Sequence, residues 1–434
     1  LVIGGGCAGL AAATRLAERG ARVRLLEARR VLGGRSRSWI DGVTGDVEDN
    51  GQHIIMGCYE EFLSFVRRTG GVEELRFQDR VEVTLLEPGG RANRFRPGPL
   101  PRPFDLLWGL WRMHGISPGD AMAAAGMVRD LRRGKGEHRG FAAEEWLISR
   151  GQSENARRTF WDPFILATLN LPPGEAPACL LAEVLRRALL GGKRASRLAF
   201  PRRGLGPLVV APAVEFLERH RCQVLERNQV AGLEFDTSGR FIAARTRDGR
   251  RHESEAAVLA VPPDPAAALL KGRNGCFGAA QAAALGNSPI VAIHLWFDRY
   301  VCEYAMAGLL ESPIHWVFNR AKIGGAEPPG YLALVSSAAE GLAAQSKPEL
   351  LRVALGELRR FFPAARQAEP RRFRVLKERK ATPWFRPETI GLRPPARTPI
   401  PNLMLAGDWT DTGLPATLEG AAESGHRAAA LLEG

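Results

Sequence analysis

Lysine is scarce in this sequence: of its 60 basic residues 7 are Lys and 53 are Arg. The net charge of +13 is therefore largely an arginine excess, of the kind an Arg-rich codon usage produces. The basic residues are scattered and no RNA- or DNA-recognition motif accompanies them, so nucleic acid is not an expected partner; an anionic membrane surface stays compatible with the charge. Cysteine is sparse too. Cys7, Cys58, Cys179, Cys222, Cys276 and Cys302 form no CxxC pair and no zinc-like spacing, which reads as reduced thiols in a cytosolic protein with no metal site. No apolar run reaches 18 residues, so no transmembrane helix is expected, and no signal-peptide pattern opens the sequence. Internal repeats and low-complexity tracts are absent. What is present, 45% hydrophobic and 25% charged residues over 434 positions, suits a folded chain of two or three domains, contiguous or interleaved.

Leu1–Ile3 is an apolar stub, shorter than a strand needs, so a few residues are expected ahead of it. Gly4-Gly5-Gly6-Cys7-Ala8-Gly9 follows, a GxGxxG with its glycines at Gly4, Gly6 and Gly9. A helix is expected from Leu10 to Arg19 with Leu10, Ala13, Leu16 and Ala17 on one face, then a stop at Gly20 and a second strand over Ala21–Leu26, ending at Glu27. This is a βαβ unit. Its first glycine permits a tight turn, its second lets backbone approach a pyrophosphate, and its third lets helix pack on strand. The helix N-terminus offers free N–H groups to phosphate, and Glu27 is placed to accept from an adenosine ribose. The unit alone fits NAD or FAD.

Two further segments separate them. Arg29 precedes Gly33-Gly34-Arg35, where paired glycines bring the chain close to a diphosphate and Arg35 offsets its charge; the competing reading is a surface turn. Near the other end, the strand Asn402–Ala406 leads into Gly407-Asp408 and a small-residue helix over 418–432. Asp408 suits a hydroxyl of a flavin side chain, or a turn or cap. The late helix would aim its positive end at a flavin ring and favour the anionic reduced form.

Gly4–Gly9, Glu27, Gly33-Gly34-Arg35 and Ala406-Gly407-Asp408 together resemble the FAD-dependent amine oxidase and phytoene desaturase superfamily. Asp49-Asn50-Gly51-Gln52-His53 with Gly57-Cys58-Tyr59, Phe160-Trp161-Asp162-Pro163 with Leu169-Asn170, Leu295-Trp296-Phe297-Asp298 and Asp408-Trp409-Thr410 resemble its squalene-associated branch, the hydroxysqualene dehydroxylases of bacterial hopanoid synthesis. The likeness weakens between about 300 and 400. It implies an α/β fold: a Rossmann-like FAD-binding domain from 1–75, 196–275 and 390–434, interleaved with an α+β substrate domain from 76–195 and 276–389. Within these, a helix over Ala211–Arg219 and strands over Val81–Leu86, Gln223–Leu225, Gln229–Phe235, Val258–Val261, Ile290–Phe297, His315–Phe318, Tyr331–Val335 and Phe373–Lys377 are expected. Helices are expected to dominate 104–190.

The resemblance also implies which residues hold FAD: Gly4, Gly6, Cys7, Ala8 and Gly9; Glu27, Ala28 and Arg29; Gly33, Gly34 and Arg35; Gly51, Gln52 and His53; the backbone of Val230 at the adenine; and Gly407, Asp408 and Thr417. No Cys follows Cys302, so the C-terminal cysteinyl link of some amine oxidases is excluded and the FAD is expected to be non-covalent. The implied reaction removes the hydroxyl of hydroxysqualene, giving squalene. His53 and Gln52 stand where this superfamily brings a loop to the flavin ring: His53 positions substrate or relays a proton, or is a core histidine bonded to backbone. Asp162 is a second acid, held protonated if buried among Phe160, Trp161 and Phe164, or a helix cap before Pro163. No second GxGxxG supplies an NAD(P)H domain, so electrons come from an external donor.

Phe104, Leu107, Trp108 and Trp111 fall at i, i+3, i+4 and i+7, flanked by Arg102 and Arg112. They read as an amphipathic membrane-facing helix over 104–113 or as a core helix. A lipid substrate favours the first, with the protein peripheral at the inner face of a bacterial membrane, in contact with lipid and associated with squalene-synthesis enzymes. Three rivals stay open: a phytoene-type desaturase, which differs in electron direction; an amine oxidase, against which the absence of Lys from Ile290–Phe297 and a total of four Tyr speak; and a flavin-binding partner of squalene synthesis without chemistry of its own.

Overall fold

The structure is a computed structural model that describes residues 1–43, 45, 47–133, 138–273, 278–324 and 330–433. Cys276 and the expected boundary at 275/276 lie outside the described residues. A five-stranded parallel sheet forms the first layer, in the order Gln223–Leu225, Arg24–Leu26, Val2–Ile3, Ala257–Leu259, Leu403–Leu405. Val2, Leu25, Val258, Leu259, Leu403 and Met404 are fully or almost fully buried on successive positions, the continuous apolar pattern that a sheet covered on both faces requires. Numbered along the chain the strand order is 3-2-1-4-5, the dinucleotide-binding arrangement that places a ligand at the carboxyl ends of the strands. The helices Cys7–Glu18 and Leu418–Glu433 lie together against this sheet. Alanines and glycines face each other across their contact. A Cβ on Gly425 would lie 2.2 Å from the Ala8 carbonyl oxygen, so only glycine lets these backbones meet.

The second large sheet has seven strands, in the order Pro370–Pro383, Asn287–Phe297, Tyr331–Ser336, Trp316–Asn319, Met306–Leu309, Val83–Leu86, Ala92–Phe95. All its neighbours are antiparallel except Met306–Leu309 beside Val83–Leu86, which makes the sheet mixed. The helix Lys347–Phe361 buries Leu350, Ala354, Leu358 and Phe361 against Ile293, Leu295, Leu332 and Leu334. Its start is fixed by a capping box between Ser346 and Glu349. The fold is thus the α/β arrangement expected, a parallel sheet with a mixed sheet. Strand limits differ in detail. The strand expected over Phe373–Lys377 runs from Pro370 to Pro383, because it pairs with Asn287–Phe297 over nearly its whole length. The strands Met306–Leu309 and Ala92–Phe95 were not expected from the sequence.

Between the sheets and solvent lie the helices Phe104–Trp111, Pro118–Arg133, Ala143–Ser149, Asp162–Leu169 and Ala178–Leu185. The last two adjoin wide π turns at Arg157–Trp161 and Arg186–Leu190, a widening that often marks functional sites. No described helix is long and apolar enough to cross a membrane.

Candidate active site

The three motif glycines have three different surroundings. Gly4 has φ +107°, and a Cβ there would meet the Ala260 carbonyl oxygen at 2.4 Å. Gly9 presses on the same turn, since its Cβ would stand 1.9 Å from the Gly4 carbonyl oxygen. Gly6 faces open space, with nothing within 4 Å of where its Cβ would be. Gly33, at φ +100°, donates its N–H to the Gly5 carbonyl at 2.8 Å, and Gly34 at φ +56° lies over Gly6. The second glycine pair therefore belongs to the same cradle as the first and is not a surface turn. Cys7 and Ala8 open the helix behind it, both buried.

Around this cradle stand the polar groups. Glu27 is buried; one carboxylate oxygen accepts from the Gly5 N–H and the other from the Arg29 N–H, each at 2.8 Å. Ala28 and Arg29 continue as an exposed turn. The Asn228 N–H donates to the Glu27 carbonyl at 2.8 Å, which starts the strand of Val230 beside that acid. Arg35 reaches Asp408 at 2.6 Å and the Ala381 carbonyl at 2.6 Å, so two groups expected separately at a cofactor are held to each other. Its side chain makes both contacts with 41% of its surface still accessible. Gly407, at φ +148°, donates to Ser424 Oγ, and its Cβ would strike the Trp409 ring. Thr417 precedes the late helix, and its Oγ1 accepts from the Gly420 N–H.

The loop before Ile55 is tied from several sides. Asp49 accepts from Ser38 and from the Leu205 N–H. Asn50 donates to Glu378 at 3.0 Å, and Gln52 accepts from Arg320 at 2.8 Å. The Gln52 Nε2 group is buried with no hydrogen-bond partner among the described residues. His53 Nδ1 lies 2.7 Å from the Gly51 carbonyl; that carbonyl can only accept, so Nδ1 carries the proton and Nε2 is the acceptor. Burial lowers the His53 pKa, against the opposing pull of Asp49, so the ring is neutral near pH 7. The open face at Gly6, the glycine cradle, the ribose-side acid and the orphaned Gln52 amide suit a dinucleotide flavin as a set.

Asp162 stands apart from this cradle. It lies inside a helical run at φ −64° and ψ −46°, so it is not a cap. Burial, with Glu144 nearby, raises its pKa, and Arg157 and Arg158 oppose that. It lines neither cavity described below, whereas Phe160, Trp161 and Phe164 do. Asn170, quoted in the same motif, is structural: at φ +54° it donates to Thr382 and accepts from the Ala338 N–H, tying helix to sheet.

Two cavities lie among the helices. The larger, of about 110 Å³, is walled by Val83, Phe95, Leu106, Leu110, Met127 and Phe164 among others, and Ser196 is the one polar side chain among the described residues of its wall. The smaller, of about 20 Å³, is walled by Met56, Cys58, Tyr59, Thr168, Val184, Arg187, Leu414, Pro415, Thr417 and Glu419. Met56 belongs to both. The remaining walls step along shared elements, from Phe164 to Thr168 and from Ala188 to Val184, one helical turn each. At the outer end, Leu106, Leu107 and Leu110 face the cavity while Phe104, Trp108 and Trp111 on the same helix are 59%, 39% and 45% exposed. Arg102 is not a surface anchor, being held by Asp105 and the Gly192 carbonyl. Sequence reading missed Arg187, Glu419 and Arg320. An acid in the first turn of a helix resembles any dipole-matching residue, and only the fold brings it to a cavity.

Residues 7–432 match the profile of the flavin containing amine oxidoreductases. The chain is 31% identical to the hydroxysqualene dehydroxylase of Rhodopseudomonas palustris, over 99% of this chain and 97% of that protein. It is 30% identical to that of Sinorhizobium fredii, over 99% and 97%. It is 26% identical to the 15-cis-phytoene desaturase of Glycine max, over 98% of this chain and 77% of that one. Among solved structures, an oxidoreductase from Methanosarcina mazei superposes with a TM-score of 0.74 at 17% identity, covering 98% of both chains. A putrescine oxidase variant does so at 0.72 and 18%, covering 99% and 97%. The chain therefore belongs to the flavin containing amine oxidoreductase family.

Proposed function

We propose that this flavin-containing oxidoreductase is a hydroxysqualene dehydroxylase. The observation that carries the reading is the wall of the larger cavity. An ammonium substrate would lose its hydration there with no anion to replace it, which is prohibitive. A thirty-carbon isoprenoid finds only apolar contact. Full-length similarity to hydroxysqualene dehydroxylases supports the substrate class; phytoene desaturation is the alternative that the same apolar wall accommodates.

In this reading FAD is held non-covalently by the two glycine turns, Glu27, Arg35, Asp408 and the start of the late helix. The segments 1–75, 196–275 and 390–434 serve the cofactor; 76–195 and 276–389 serve the substrate. Reduced FAD, when bound, supplies the hydride that replaces the hydroxyl. The residues of the chain do the rest. The apolar wall excludes water that would recapture an allylic cation. Gln52 and neutral His53 orient groups at the ring. The exposed Phe104, Trp108 and Trp111 rest in the bilayer interface and pass substrate inward between Leu107 and Leu110, with the basic surface assisting on anionic lipid. An external reductant recharges the flavin.

The test presents two lipids to one preparation. Reduced enzyme with hydroxysqualene is expected to give squalene, and oxidised enzyme with phytoene to give no new double bond. The reverse pair of results would assign a desaturase.

A further inference from the structure

The smaller cavity concentrates what the larger one lacks. Its short wall includes the residues Tyr59, Thr168, Thr417, Arg187 and Glu419. Thr417 Oγ1 accepts from the Gly420 N–H at 3.2 Å. These residues form a polar terminus beside the apolar cavity, with which their wall shares Met56, at the start of the helix Leu418–Glu433.

Glu419 is the unusual member. Its side chain is 2% exposed. One oxygen accepts from the Glu61 N–H at 3.2 Å and from Arg187 at 3.2 Å, and the other accepts from the Phe62 N–H at 2.9 Å. A carboxylate offers about four acceptor positions, so three are used and one remains for a proton. Arg187 is shared among Glu183, Glu419 and Glu423. Glu183 has Arg186 as a second partner and Glu423 has Arg427. Glu419 is the least compensated of the three and the one that faces the cavity. Burial raises its pKa to about 7, which Glu423 adds to and Arg187 opposes.

We propose that this polar terminus is the subsite for the substrate hydroxyl, with Tyr59 and Thr417 orienting the alcohol and Glu419 delivering the proton on which water departs. The proposal rests on the dehydroxylase reading for its chemistry. A proton moves from the Glu419 carboxyl to the hydroxyl oxygen, the C–O bond breaks, and its electron pair leaves with water. The carbon left behind takes the hydride of the two-electron-reduced flavin, and Glu419 regains its proton from solvent. Arg187 is a positioning residue, since it holds Glu419 without itself reaching the bond that breaks.

The holoenzyme tests this by binding and by rate. Equilibrium binding of hydroxysqualene and of squalene to oxidised enzyme is measured for wild type, Tyr59→Phe and Glu419→Gln. Wild type is expected to prefer the alcohol by about tenfold, and Tyr59→Phe to shrink that preference several-fold at unchanged flavin content. Equal binding of alcohol and hydrocarbon by wild type would overturn the subsite, and so would an unmoved preference in Tyr59→Phe. In single turnover, an acid that must be protonated gives a rate that falls as pH rises through about 7. Glu419→Gln is expected to lose at least a hundredfold in rate together with that pH dependence. A Glu419→Gln profile that keeps the wild-type shape would overturn the acid role. If Glu419→Gln fails to hold flavin, Tyr59→Phe still decides the subsite, and the wild-type profile decides the acid: no fall between pH 6 and 8 removes it. Tight alcohol-selective binding without any turnover would overturn the dehydroxylase reading and the acid role with it, and leave the hydroxyl subsite standing.

Discussion

The cradle and the apolar tunnel proposed for the substrate occupy one molecule and are built on opposite terms. In the cradle, backbone geometry decides: Gly4, Gly9 and Gly33 each stand where a Cβ would strike another atom, and Gly4 and Gly33 also have positive φ. In the tunnel, side-chain volume decides: Met56, Leu110, Met127, Phe164 and Leu185 come from five separate segments and meet only after folding. The first kind of site tolerates no substitution at a few positions, while the second tolerates many at each position but is sensitive to total volume.

Breaking the cradle has the largest expected effect. Gly9→Ala drives a methyl into the Gly4 carbonyl, and a loss of at least about 3 kcal/mol is expected, seen as apoprotein with a lowered denaturant midpoint. Filling the tunnel comes next. Ala188 is buried in the larger cavity's wall, and Ala188→Trp should cut turnover by about a hundredfold or more while the flavin spectrum persists. Gly6→Ala sharpens the comparison within the cradle. Its Cβ meets no protein atom, so the melting temperature of the apoprotein should stay within about 2 °C of wild type, while FAD affinity falls about tenfold or more as the methyl meets cofactor. The smallest effect lies at the surface. Trp108→Ala with Trp111→Ala should weaken sedimentation with anionic liposomes several-fold and spare turnover of detergent-dispersed substrate; full retention of liposome binding would remove the membrane contact.

The same contrast explains what could be read from the sequence. The cradle was legible because its chemistry is local. A GxGxxG, an acid at the end of the next strand and a second glycine pair each impose a conformation that few other residues adopt. The helix Ala211–Arg219 and the strand Gln223–Leu225 lay where their periodicity put them. The tunnel was not legible, because no periodicity says which helix faces a cavity. Asp162 stands in sequence among Phe160, Trp161 and Phe164, yet the rings line the cavity and the acid does not. Of the stripe Phe104, Leu107, Trp108 and Trp111, Leu107 lines the cavity and the three rings are exposed, a division set by Leu106 and Leu110 taking the inner side. Glu419 needed the start of the helix Glu60–Thr69 to arrive beside it, 357 residues away along the chain.

The most direct measurement is an anaerobic single turnover. Purified holoenzyme is reduced, freed of excess reductant and mixed with hydroxysqualene while flavin absorbance and extracted lipid are followed together. Flavin reoxidation with squalene formed in equal amount is the expected result. A fully flavin-loaded enzyme that stays reduced and returns its alcohol unchanged would contradict the dehydroxylase assignment.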